Sequence, residues 1–259
     1  MKVKVISILE DNYMYLIIEE TTRQAVAVDA AVSKRLLEII RKEVVILKAI
    51  LTTHCHWDHA RDNEELAKVY PGLQFGSINV RCLLTPGHTA GHVCYFMWEN
   101  DSLNAPAAFT GDTLFVGGCG RLLECPPEQL HNSLMEVLGG LPKETKIFCG
   151  HEYTTQNLKF ALKVEPENEF VKEKLLWAKL REDEDLPTVP STLAEEFLYN
   201  PFLRILEEPV QKFTGKSVPV EVFAALCKAK ESFRKPKEQL NPQAMLAFEW
   251  GLFDPLLQK

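Results

Sequence analysis

The 259-residue chain has no long apolar run, no C-x-x-C pair, no internal repeat and no low-complexity tract. No run approaches the ~18 apolar residues that a bilayer-spanning helix needs, so the sequence predicts no membrane span. Seven cysteines (Cys55, Cys82, Cys94, Cys119, Cys125, Cys149 and Cys227) without C-x-x-C spacing argue against a zinc ribbon or a disulfide framework and for a reducing compartment. Positive charge is also in short supply, with Lys+Arg 29 against Asp+Glu 36 and a net charge of −7. General nucleic-acid binding needs clustered cations to neutralise phosphates, and such a chain does not suit it. The N-terminus, Met1-Lys2-Val3-Lys4-Val5-Ile6, alternates like a strand and lacks the apolar core of a signal peptide. The expectation is a soluble cytoplasmic monomer with neither nucleic acid nor membrane as partner.

What is present is ordinary globular material. Apolar residues make up 46% and charged residues 25%, enough for one large domain or two modest ones. The charge is uneven. Residues 212–237 hold seven cations (Lys212, Lys216, Lys228, Lys230, Arg234, Lys235 and Lys237) against Glu221 and Glu231. Such a run is by default a solvated helix face, and its sharper reading is a cationic wall for a small anionic substrate.

Up to residue 150 the pattern is one of short strands separated by turns. Alternating or apolar runs over 3–9, 14–18, 25–29, 47–53, 78–84, 93–98, 107–110 and 146–149 predict strands. Helices are predicted over 33–42, with Ser33 as cap, and over 62–69 and 128–138. Strands mixed with helices at this spacing imply an α/β sandwich with helices outside the sheets. From about Thr154 the pattern turns helical, over 158–164, 169–181, 192–197, 220–234 and 243–250, with a Thr192/Glu195 capping box.

The chemistry is concentrated in Thr53-His54-Cys55-His56-Trp57-Asp58-His59, which places three imidazoles and a carboxylate within six residues after an apolar strand. A lone histidine is usually structural. A cluster of four potential ligands is costly to bury unless a metal organises it. Alternation in extended backbone lets His54 and His56 converge on one ion and turns Cys55 away, which argues against a thiol nucleophile. A turn beyond the strand lets Asp58 and His59 face a second ion. Three further candidates each follow a glycine at a strand end: His88 in Pro86-Gly87-His88, Asp112 in Thr110-Gly111-Asp112, and His151 in Cys149-Gly150-His151.

In order and spacing, His54-x-His56-x-Asp58-His59 with His88, Asp112 and His151 resembles the metallo-β-lactamase superfamily. Within it, Asp11-Asn12-Tyr13-Met14-Tyr15, Phe115-Val116-Gly117-Gly118-Cys119-Gly120, Cys149-Gly150-His151-Glu152-Tyr153 and Pro187-Thr188-Val189-Pro190-Ser191-Thr192 resemble the glyoxalase II (hydroxyacylglutathione hydrolase) family. The resemblance implies a metal-binding αββα sandwich over 1–153, followed by a smaller helical substrate-binding domain over 154–259. It makes His54, His56 and His88 ligands of one metal and Asp58, His59 and His151 ligands of the other, with Asp112 bridging. It also implies two divalent ions, zinc first and iron or manganese as alternatives. The implied reaction is attack of metal-held hydroxide on S-2-hydroxyacylglutathione, releasing glutathione and a 2-hydroxy acid, with Asp58 and Asp112 as the catalytic carboxylates. His92 and His131 match no family ligand and receive a structural reading.

Of the groups with which the family meets glutathione, the resemblance implies that Arg121, Tyr153 and Lys230 are kept. Leu123 stands in place of a tyrosine and Cys227 in place of an arginine. A second departure lies at residues 70–76, where a strand–helix–strand insertion of the family is absent and the first sheet loses part of its edge. Two other readings stay open beside the thioesterase. One is a mononuclear iron dioxygenase acting on glutathione persulfide, and the other is a metal-binding protein with impaired catalysis.

Overall fold

All seven residues of strand β2 (Asn12–Ile18) are buried, because both of its faces are covered. Tyr13, Tyr15 and Ile17 point into a core shared with Tyr95, Met97, Phe109 and Phe148 of a second sheet. Met14, Leu16 and Ile18 point the other way, onto Leu36 and Ile40 of helix α1 (Ser33–Glu43). The period-2 alternation of a strand thus places one sheet between a helix and another sheet.

The computed structural model describes residues 1–60, 76–100 and 103–233. Its first sheet runs β1 (Lys2–Ile8), β2, β3 (Gln24–Val28), β4 (Ile46–Leu51), with only the β3–β4 pair parallel. The second runs β11 (Ser191–Thr192), β10 (Lys146–Cys149), β7 (Ala107–Gly111), β6 (Val93–Glu99), β5 (Ile78–Leu84), with only β10 and β7 parallel. A short hairpin, β8 (Leu114–Phe115) with β9 (Gly118–Cys119), follows β7. Helix α2 (Trp57–Ala60) follows β4, and α3 (Pro127–Asn132) leads into a π-helical turn over Ser133–Leu138. Then come α4 (Thr154–Val164), α5 (Glu169–Asp183), α6 (Leu193–Tyr199), a 3-10 turn over Pro201–Leu203, α7 (Glu208–Thr214) and α8 (Pro219–Phe233).

The outer face of the second sheet (Ala108, Ile147) shares a core with Leu130, Leu134, Phe160, Leu193, Phe202, Val210, Phe223 and Leu226 from these helices. The order of layers is helix, sheet, sheet, helix, as the resemblance implies. Every strand expected between residues 3 and 149 is present within a residue or two. The Thr192 capping box forms: its hydroxyl accepts from the Glu195 N–H at 3.2 Å, and the Glu195 carboxylate accepts from the Thr192 N–H at 2.8 Å. Ser33 does not cap α1. Val32 occupies the capping position and no side chain bonds there, since Ser33 is already helical and buried. The helix expected over 158–164 begins at Thr154. Short elements escaped the periodicity: α2, α7, β11, the 3-10 turn and the β8–β9 hairpin are each shorter than the windows on which periodicity rests. The helices expected over 62–69 and 243–250, most of the 70–76 junction, and Arg234, Lys235 and Lys237 lie outside the described residues.

A buried carboxylate ties the hairpin to the helical region. Glu196 on α6, with no solvent exposure, accepts from the Gly117 N–H (2.9 Å), Ser191 Oγ (2.6 Å), Tyr199 OH (2.8 Å) and Asn200 Nδ2 (3.0 Å). Asn200 Nδ2 also donates to the carbonyl of Gly118 at 3.0 Å. Each buried donor left unsatisfied costs about 1–3 kcal/mol. Glu196→Ala is therefore expected to lower the unfolding free energy by at least about 3 kcal/mol in urea titrations. A loss below about 1 kcal/mol would mean that the network does not hold the hairpin.

Candidate metal centre

The segments that follow four strands supply every side chain of the cluster. The segment after β4 carries His54 and His56, and α2 then turns Asp58 and His59 back toward the same cleft. The turn after β5 delivers His88, the end of β7 Asp112, and the end of β10 His151. His54 Nε2 lies 2.9 Å from His56 Nδ1, which lies 3.2 Å from His88 Nε2. His59 Nε2 and His151 Nε2 are 3.2 Å apart, and each is 3.6 Å from Asp58 Oδ2. Asp112 stands between the two groups, with His88 Nε2 3.5 Å and His151 Nε2 3.3 Å from its Oδ2 and His59 Nε2 3.6 Å from its Oδ1. All seven sequence candidates therefore meet in one place. Cys55 is exposed and belongs to neither donor group.

The outer nitrogens settle which ring atoms face inward. His59 Nδ1 is 3.0 Å from Asp29 Oδ2, and His151 Nδ1 is 3.0 Å from Asp11 Oδ1. His88 Nδ1 is 3.0 Å from the Arg121 carbonyl oxygen. These partners only accept, so each Nδ1 carries a proton and, once the ring is neutral, each Nε2 presents a lone pair. His54 follows the same rule. The Thr53 hydroxyl donates to Asp29 at 2.8 Å, so its oxygen accepts from His54 Nδ1 at 3.0 Å. Asn12 Nδ2 donates to Asp58 Oδ2 at 2.9 Å and aims that carboxylate.

Two clusters of inward-facing donors in a nearly dry cleft repel one another unless positive charge lies between them. Asp112 Oδ1 makes this concrete, since it is buried without a hydrogen-bond partner. The donor atoms within each triad lie within 4.8 Å of one another. A proton serves one pair of atoms, whereas each triad turns three atoms toward one point. Nitrogen and oxygen donors without thiolate fit zinc, iron or manganese, so the residues present fit a pair of divalent cations.

Without metal, the cleft's electrostatics split its histidines. Burial and the neighbouring His59 hold His54 well below the ordinary imidazole range, and burial likewise lowers His88. Burial would lower His151 too, but Asp112 and Asp11 outweigh it and push it up to about 10. His59 is raised against its own burial by Asp29, Asp112 and Asp58. Those imidazoles in turn hold the buried Asp112 carboxylate far below its usual range.

Sequence reasoning missed the supports. Asp29 is 2% exposed, and besides bonding His59 and the Thr53 hydroxyl it accepts from the Thr53 N–H at 2.8 Å. A carboxylate inside the otherwise apolar run 25–31 was the available signal, because burying one without partners is costly. His92 is structural, as expected, and it also acts on the site. Its Nε2 accepts from the Asp112 N–H at 3.2 Å, and its ring stacks on His54 at 5.0 Å. His131 packs edge-on against Phe223.

A pocket adjoins the cluster through Arg121, whose carbonyl holds His88. It is lined by Cys119, Gly120, Arg121, Phe202, Cys227 and Lys230, among others. Lys230 Nζ donates to the Cys119 carbonyl at 2.9 Å. Tyr153 stacks flat on His151, with centroids 4.8 Å apart, and Leu123 is exposed. Of the other cations in the basic segment, Lys212 and Lys216 sit in exposed ion pairs with Glu208 and Glu221.

Residues 152–233 match the family model described as hydroxyacylglutathione hydrolase C-terminus. A protein of Gallus gallus named hydroxyacylglutathione hydrolase-like protein is 66% identical over 281 aligned positions, covering all of both chains. The chain belongs to the hydroxyacylglutathione hydrolase family. The Arabidopsis thaliana protein named hydroxyacylglutathione hydrolase cytoplasmic is 40% identical over 258 positions, covering 90% of this chain and all of that one. The crystal structure of the BLEG-1 B3 metallo-β-lactamase, 18% identical, superposes with a TM-score of 0.57 over 78% of this chain and 99% of that one, which identifies the fold. The 281 aligned positions exceed the 259 residues of this chain, so part of the Gallus gallus protein has no counterpart here. Among the described residues no helix is long and apolar enough to cross a membrane.

Two predictions follow the geometry. Asp29→Asn is expected to weaken metal binding at both triads by about 10–100-fold, because Asp29 orients His59 directly and His54 through Thr53. Chelator-competition titrations measure this, and loss at one site only would contradict it. His151 carries a proton at neutral pH that a cation must displace, so apparent metal affinity is expected to rise with pH toward about 10. Calorimetry at pH 7 in buffers of different ionisation enthalpy is expected to show proton release on binding.

Proposed function

We propose that the protein hydrolyses S-2-hydroxyacylglutathione thioesters to glutathione and a 2-hydroxy acid, acting as a cytoplasmic monomer. The observation that carries this reading is the pair of donor triads with Asp112 between them, beside a pocket lined by Arg121, Lys230 and Glu231 and joined to them through Arg121. His54, His56 and His88 would hold one ion, Asp58, His59 and His151 the other, and Asp112 both. When bound, two divalent ions (zinc first, iron or manganese otherwise) supply Lewis acidity and a water acidified to react near neutral pH.

The chain's own groups do the rest. Asp58, aimed by Asn12, and Asp112, set by the His92 bond to its N–H, would hold the ions and orient the attacking water. Arg121 and Lys230 attract the carboxylates of the glutathione portion, and Tyr153 on His151 borders the reacting end. The departing thiolate has a parent pKa near ~8.5 and leaves without a dedicated acid. The absence of a Ser-His or Cys-His pair among the candidates is consistent with this. We assign residues 154–233 to substrate recognition. Leu123 and Cys227 offer neither a phenol nor a cation, and each missing charged hydrogen bond weakens glutathione binding by roughly ten- to hundred-fold.

A complete second triad at Asp58, His59 and His151 favours this reading over a mononuclear iron dioxygenase. In steady-state assays of thioester hydrolysis, Asp112→Ala is expected to lower kcat/KM by at least about a thousand-fold. Activity unchanged by that substitution, or oxygen consumption with one iron per chain, would overturn the assignment.

A further inference from the structure

Two of the cysteines meet in the wall of the Arg121–Lys230 pocket, and hydrolysis uses neither. Cys119 ends β9, and Cys227 lies on α8 three residues before Lys230. Lys230 Nζ bonds to the carbonyl oxygen of Cys119. Residues three apart share a helix face, so the contact that fixes Lys230 over β9 also lays Cys227 on Cys119. Cys119 belongs to the buried cluster against which Cys227 packs, and both side chains line the same small pocket. The remaining cysteines are placed differently. Cys55 and Cys82 are exposed, Cys125 is half-buried and lines no part of this pocket, and the buried Cys94 and Cys149 donate to the carbonyls of Thr110 and His151.

We propose that Cys119 and Cys227 form a reversible disulfide by exchange with a glutathione-type disulfide that reaches the partly exposed Cys227 at the mouth of this pocket. Cys227, the more exposed of the two, loses its proton and attacks one sulfur of the incoming disulfide. The new bond joins Cys227 to that sulfur, the external S–S bond breaks, and the first thiol leaves after taking up a proton. Cys119, losing its own proton, then attacks the Cys227 sulfur. This closes the Cys119–Cys227 bond and releases the second thiol. Two protein thiols are oxidised and one external disulfide is reduced to two thiols. Arg121 and Lys230 outnumber Glu231 beside the pair, which suits a disulfide that carries carboxylates. The adjacent Cys119 sulfur and burial hold the Cys227 thiol above its ordinary range. The bond ties α8 to the β8–β9 hairpin across the pocket wall and so weakens binding there. This last consequence rests on the substrate-pocket reading, and the disulfide itself does not.

The test equilibrates the full-length, metal-loaded protein overnight with graded mixtures of reduced and oxidised glutathione, followed by alkylation, digestion and mass spectrometry. A peptide linked through Cys119 and Cys227 is expected to grow with the oxidised fraction, to disappear with dithiothreitol, and to be absent from Cys227→Ser. Recovery of both cysteines as alkylated thiols would overturn the proposal. So would Cys227 held as a mixed disulfide beside an alkylated Cys119. The linked peptide is read on the native chain, so the test does not depend on a variant that folds. Calorimetry with S-methylglutathione separates the two claims. Binding at least about tenfold weaker in the oxidised protein supports both, whereas a linked peptide with unchanged binding removes the effect on the pocket and leaves the disulfide standing.

Discussion

The structure depends on an electrostatic conflict in the cleft between the ends of its two sheets. Five imidazoles and two carboxylates converge there, most of them buried, with donor atoms about 3 Å apart and one Asp112 oxygen lacking a hydrogen-bond partner. Left alone, such a cluster is among the more costly things a protein interior can hold. Positive charge resolves it. Protons do so in part, as the raised His59 and His151 indicate, and two cations answer the whole geometry. The fold supplies rigidity in the form of strand ends, each of which contributes a ligand candidate and little else.

That rigidity is reinforced from outside. Asp29 holds members of both triads at once, His59 directly and His54 through Thr53. The Asp11-Asn12 turn joins the sheets and aims His151 and Asp58. Tyr13 continues this link, its N–H bonding the Gly150 carbonyl at 2.8 Å and its hydroxyl bonding Glu152. Fixed tautomers follow from these contacts, because carboxylates and carbonyls behind the rings leave each inner nitrogen unprotonated when neutral. Gly120 marks how closely the recognition pocket approaches this centre. A Cβ there would come within 1.9 Å of the Asp112 carbonyl oxygen, so the chain between pocket and metal cleft has no room for a side chain.

Much of this was legible in the sequence, for identifiable reasons. His54, His56, Asp58 and His59 stand out because four ligand types within six residues leave few other uses, and the order of His88, Asp112 and His151 behind them carried the family resemblance. Strands were readable because buried alternation leaves a period of two, as in β2. Less was visible where single contacts decide. Asp29 looked like the end of a strand, and nothing local says that His92 hands its lone pair to the Asp112 N–H. The thiol pair was equally hidden, since Cys119 and Cys227 lie far apart in the chain and only the fold of α8 over β9 brings them together.

The claim that two ions share one carboxylate can be seen directly. Crystals grown with zinc and measured at its absorption edge are predicted to show two anomalous peaks about 3.5–4 Å apart. One would lie at His54, His56 and His88, the other at Asp58, His59 and His151, with Asp112 reaching both. A single peak, or two peaks of which only one touches Asp112, would contradict the account.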